Sequence, residues 1–176
     1  AVRVAAPVPF FVDVPFTAQF SAEIEWLAER GVSTGWALPG GGREYRPVQP
    51  IARDAMAVFL FRLAGDPAYT APTVSPFVDV ATTNPFYREI TWLASMGIST
   101  GWPTAAGAEF RPYAPIARDA MAAFLYRLAE RPAFSAPAVS TFGDVGTGNQ
   151  FYKEISWLAS EGISTGWPGQ GGAPVS

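Results

Sequence analysis

The chain of 176 residues contains no cysteine and no histidine. Those absences remove thiol nucleophiles, thiolate zinc sites, imidazole ligands and every Ser-His-Asp arrangement, so any chemistry would rest on carboxylates, hydroxyls, lysine or arginine. Positive charge is also scarce: 12 Lys and Arg stand against 15 Asp and Glu, a net charge of −3. No broad basic field exists to attract a phosphate backbone, and nucleic acid is not an expected partner. No apolar run approaches the roughly 20 residues of a membrane-spanning helix. The start, "AVRVAAPVPF", lacks the long apolar centre of a signal peptide, so the chain reads as soluble, without membrane insertion. Closely spaced aspartates of a calcium loop are missing too, and neither metal nor cofactor is expected. What is present is 49% hydrophobic, enough to bury a core as one domain or as a tight array of small units.

The chain repeats itself. "FVDV" at 11–14 returns at 77–80 and as "FGDV" at 142–145, and "EIEWLAERGVSTGW" returns as "EITWLASMGISTGW" and "EISWLASEGISTGW". "PIARDAMAVFLFRLA" at 50–64 returns once, as "PIARDAMAAFLYRLA" at 115–129. Residues 11–65 form a first repeat, 77–130 a second and 142–167 a half repeat, followed by a Gly/Pro-rich tail at 168–176. Each full repeat reads as helix, loop, helix. In the first helix Phe20, Ile24 and Leu27 make one apolar stripe, repeated by Phe86, Ile90, Leu93 and by Phe151, Ile155, Leu158. Gly31, Gly97 and Gly162 end these helices as left-handed C-caps. The second helix carries Met56, Phe59, Leu60, Leu63, or Met121, Phe124, Leu125, Leu128. Extended Pro- and Ala-rich connectors join repeats that must stack to bury their faces. The expected fold is mainly α: three tandem helix-loop-helix repeats in one module, the third incomplete.

Three features stand outside simple core logic. Arg53 and Arg118 lie in the first turn of the second helix, where the dipole disfavours a cation; an arginine fork beside free helix N–H groups suits a carboxylate, unless it pairs with an acid of the neighbouring repeat. All six tryptophans fall in pairs ten residues apart. Trp26 sits about 120° from the stripe of its helix and faces either another repeat or a ligand. Trp36, Trp102 and Trp167 lie on loops, where a sugar ring can stack. The "GISTGW" loop, with Ser99, Thr100 and Gly101, offers hydroxyls and open backbone to a polar ligand, or only shapes a turn. Asp13, Asp79 and Asp144 recur in register, which suits caps or loop-backbone acceptors rather than an unequal acid/base pair, so no catalytic residue is assigned.

In order, these motifs resemble S-layer homology repeats in the divergent form of high-GC Gram-positive cell-surface proteins: Phe77 to Val80, the helix with Ile90 and Leu93, Gly97 to Trp102, Phe110-Arg111-Pro112 and Ile116 to Ala120. The first repeat matches with Phe11 to Val14, Gly31 to Trp36, Tyr45-Arg46-Pro47 and Ile51 to Ala55, and the third with Phe142 to Val145 and Gly162 to Trp167. Two departures are visible. Ala52 and Ala117 stand where the family has Thr, which removes a helix N-cap of about 1 kcal/mol, and Asp54-Ala55 and Asp119-Ala120 replace its Ala-Glu pair. The resemblance implies a pseudo-threefold bundle and a non-catalytic, extracellular anchor to an acidic secondary cell-wall polysaccharide, typically one carrying a pyruvate ketal. It implies that Arg53 and Arg118 hold the acid, with Trp36, Trp102, Ser99, Thr100 and Gly101 lining the grooves. The alternative is a self-assembling surface-layer or filament subunit, with a homo-oligomeric contact completing the third repeat.

Overall fold

The computed structural model describes residues 7–168 and 174–175; most of the expected tail lies outside them. Five helices are present among the described residues: α1 (Ser21–Glu29), α2 (Arg53–Leu63), α3 (Tyr87–Ser95), α4 (Arg118–Leu128) and α5 (Tyr152–Ser160). None is long and apolar enough to cross a membrane. Between them lie short strands: β1 (Trp36–Ala37), β2 (Arg43–Glu44), β3 (Trp102–Thr104), β4 (Gly107–Glu109), β5 (Trp167–Pro168) and β6 (Pro174–Val175). They pair antiparallel as β1-β2, β3-β4 and β5-β6, with Trp36 opposite Glu44, Trp102 opposite Glu109 and Trp167 opposite Val175.

This overturns the expected mainly α, pseudo-threefold bundle of three helix-loop-helix repeats: the fold is mixed α and β. Each loop tryptophan opens a strand because the glycine before it, Gly35, Gly101 or Gly166, turns the chain at positive φ. At Gly101 a side chain would come within 2.7 Å of the Glu109 carbonyl, so only glycine lets the two strands close. The expected C-caps are found: Gly31, Gly97 and Gly162 have φ of 66°, 61° and 69°, and the N–H of the next residue donates back to Leu27, Leu93 or Leu158.

Helices pack across the repeats rather than within them. α2 of the first repeat lies on α3 of the second, and α4 lies on α5. Phe61 meets Trp92 edge-on at 5.2 Å and Tyr126 meets Trp157 edge-on at 5.3 Å. The largest apolar cluster spans α2, α3 and the second hairpin through Leu60, Phe61, Ile90, Leu93 and Phe110. A smaller one joins Ala122 and Tyr126 of α4 to Trp157 and Leu158 of α5, so the stripe of the third repeat is covered by the helix before it. Packed on α3, α2 buries Ala57 and Phe61 beside Leu60 and leaves Leu63 exposed, a face rotated from the expected one. Among the described residues α1 packs through Ile24 and Ala28 against Phe11 and Val14 of the preceding segment, with Tyr45 against the same cluster. Its expected stripe member Phe20 is a left-handed N-cap residue (φ 61°) pointing to solvent.

Candidate functional site

The site is built where a second helix of one repeat meets the loop of the next. Ala52 cannot cap α2 with its side chain. The second repeat supplies the acceptors instead: Arg53 N–H donates to Ala114 O and Asp54 N–H to Pro112 O, while Ile116 N–H donates back to Ile51 O. An isolated antiparallel bridge links Ala52 and Pro115. Carbonyls of the neighbouring repeat thus stand in for the missing threonine cap.

This pairing drives Arg53 inward. It is 3% exposed, its Nε donates to Phe110 O at 2.8 Å, and its guanidinium lies 4.2, 5.0 and 5.2 Å from the ring centres of Trp102, Phe110 and Phe124. Burial, then the charge of Arg111, push its pKa down to about 10, with Asp79 opposing; it stays cationic at neutral pH. Arg111, at φ 59°, lies 4.6 Å over the same Trp102 and is tied to Glu109 at 3.1 Å. Asp79 holds that left-handed turn by accepting the N–H of both Phe110 and Arg111 at 2.7 Å. Asp13 does the same for Tyr45 and Arg46. Burial raises the Asp13 pKa, but those two N–H groups, its own N–H and the Arg46 charge outweigh it and leave the pKa below the ordinary value. Asp13 and Asp79 are loop-backbone acceptors, one of the roles their register suggested.

Arg118 has the same sequence surroundings and a different fate. It is exposed, and its guanidinium lies 3.9 Å over Trp167. A cavity of about 230 Å³ lies there, lined by Arg118, Asp119, Phe142, Asp144, Asn149 and Ser164 among others. Arg118 offers a guanidinium fork that can pair with an anion, Asp119, Asn149 and Ser164 offer hydrogen-bonding groups, and Ala122, Val145, Ile155 and Leu158 make the rest of the lining apolar.

The sequence-proposed residues are therefore divided. Arg53 and Trp102 come together with Gly101 in a filled groove; Ser99 is buried, and Thr100 is exposed. Trp36 carries Arg46 over its ring at 4.7 Å, while Arg53 lies on Trp102 of the next repeat. Arg118 stands with Trp167, one of the loop tryptophans read from sequence as a stacking platform, and with Asp119 and Asp144, which were not assigned to the ligand site from sequence. The signal that could have placed them is the half repeat: a loop without its own arginine helix still follows one. Among the described residues no group of three or more potential metal ligands gathers. No protein-family model matches the chain, and no curated protein matches it.

Proposed function

We propose that the chain is a non-catalytic module that anchors an extracellular protein to the cell wall by binding an acidic secondary cell-wall polysaccharide, with a pyruvate ketal as the acid the S-layer homology resemblance implies. The observation that carries the reading is the exposed Arg118 stacked at 3.9 Å on Trp167 beside a cavity of about 230 Å³. A sugar ring needs a flat apolar face and hydrogen-bond partners, and its acid substituent needs a fork of N–H donors; both stand together there. Arg53, enclosed by three rings, acts as the structural copy of the same motif.

Retention on purified cell-wall polysaccharide tests this. Arg118→Ala removes retention while the helical circular dichroism signal persists; unchanged retention sinks the reading. The second reading is a self-assembling surface-layer or filament subunit. The exposed Trp26 edge of α1 favours it, and concentration-dependent polymerisation without glycan is its signature.

A further inference from the structure

We infer that the groove between the second connector and α5 is a binding site for one uncharged sugar unit, apart from the cavity beside Arg118. The groove holds about 330 Å³ and is lined by Phe134, Ser135, Pro137, Thr141, Ser156 and Ser160 among others. That volume is at the small end of ligand sites, which run from ~300 to ~1,000 Å³. Groove and cavity lie on different faces of α5: Ile155 and Leu158 border the cavity, whereas Ser156 and Ser160, one helical turn apart, border the groove.

Two tyrosines fix the connector across α5, Tyr126 donating to Pro132 O at 2.7 Å and Tyr152 to Pro137 O at 2.8 Å. Phe134, between those points, packs on the α4-α5 cluster, and the groove opens beside it. The second repeat handles the same place differently. Thr91 turns its hydroxyl back to Tyr87 O at 2.8 Å, and Arg88 ties the connector through Tyr69 O and Pro67 O. The third repeat has Ser156 and Lys153 at those positions, and the Lys153 ammonium lies 5.3 Å over Tyr126 instead. Ser156 is 6% exposed, yet among the described residues its hydroxyl has no hydrogen-bond partner; it opens on the groove. A nearly buried hydroxyl is matched by what fills the space before it.

The chemistry of the ligand follows from the lining. No charged side chain borders the groove, so an ion has no counter-charge there. A wholly apolar ligand would leave the Ser156 hydroxyl unmatched. Ser160 donates its own proton to Trp157 O at 2.8 Å and offers a ligand lone pairs only. Ser135, Thr141 and Ser156 can donate or accept, and Phe134 and Pro137 supply the apolar wall. Hydroxyls carried on a compact ring with apolar C–H faces meet these demands together, and one sugar unit has both. The site uses none of the residues of the Arg118 proposal and does not rest on it.

Saturation-transfer NMR of the full chain with methyl β-glucoside, methyl β-galactoside and N-acetylglucosamine, one probe at a time, tests this. At least one probe is expected to show saturable transfer and to shift the backbone amide signals of residues 134–137, 141 and 156–160. Ser156→Ala, which loses no hydrogen bond within the chain, weakens that binding about fivefold. Ser156→Thr weakens it further, because its hydroxyl turns back to Tyr152 O as that of Thr91 does to Tyr87 O; an unchanged near-ultraviolet circular dichroism signal shows that both variants fold. No transfer from any of the three probes overturns the inference. So does binding that both Ser156 variants leave intact, and so does binding lost in Arg118→Ala but kept in the Ser156 variants, which places the probe in the other cavity. Polysaccharide retention that survives Arg118→Ala counts against the Arg118 proposal alone.

Discussion

The middle and last loop tryptophans share their local sequence, Gly-Ile-Ser-Thr-Gly-Trp, yet live in different surroundings. Trp102 is the floor of a filled groove: Arg53 and Arg111 both stack on it, and Phe110 and Phe124 close over Arg53. Trp167 has Arg118 and a cavity. What separates them among the described residues is the set of rings and charges around each arginine: Phe110, Phe124 and Arg111 surround the Arg53 site, while Arg118 lies on Trp167 alone of the rings. A single arginine motif is thus buried among rings at Arg53 and exposed beside a cavity at Arg118.

Substitutions at matched positions sharpen this contrast. The largest effect is expected at the helix tryptophans: Trp92→Ala, in the packed α2-α3 contact, costs about 3–5 kcal/mol of stability, whereas Trp26→Ala on open α1 costs under about 1 kcal/mol. Urea titration followed by circular dichroism measures both, and equal losses would mean that α1 is covered as well. Next come the arginines. Arg53→Ala strands the Phe110 carbonyl in the core and costs about 2–3 kcal/mol; Arg118→Ala loses an exposed ring contact worth less than about 1 kcal/mol. Reversal of that order would break the assignment of packing and binding roles.

The loop glycines give a smaller contrast. Gly101→Ala combines positive φ with a clash on the Glu109 carbonyl and costs about 2–3 kcal/mol, while Gly162→Ala, with open space around it, costs about 1 kcal/mol of backbone strain. Thermal melts of the pair resolve the difference. The smallest effect is a pH dependence. The folded pKa of Asp13 is depressed, so its contribution is fully present above the ordinary aspartate value near ~4 and is lost as pH falls through the lower folded value. Asp13→Asn removes that part of the acid slope; an unchanged urea-midpoint profile below about pH 4 would show that the Tyr45 and Arg46 N–H groups do not depend on the charge.

Much of the local structure was legible in the sequence. The helix starts after the Pro-Ile-Ala motif and the left-handed glycines 31, 97 and 162 follow from short-range chemistry that each repeat carries within itself, and Asp13 and Asp79 take one of the two roles, cap or loop acceptor, that their register allowed. The hairpins were not, because ladders of two or three residues are too short to show alternation, and glycines at 35, 101 and 166 read equally well as loop. The arrangement of the repeats was also hidden. Periodicity says that Trp92 and Trp157 leave their own stripe but not which helix receives them, and the partners Phe61 and Tyr126 lie in the preceding repeat. For the same reason Arg53 and Arg118 looked equivalent, although the rings that close over Arg53, Phe110 and Phe124, belong to the following repeat.

The indole N–H resonances of the six tryptophans, followed by NMR as purified acidic wall polysaccharide is added, test the division of roles most directly. The expected result is a saturable shift of the Trp167 signal, absent in Arg118→Ala, with Trp92 and Trp102 unmoved. A shift confined to Trp102, or no shift at Trp167 while the polysaccharide is retained, would contradict it.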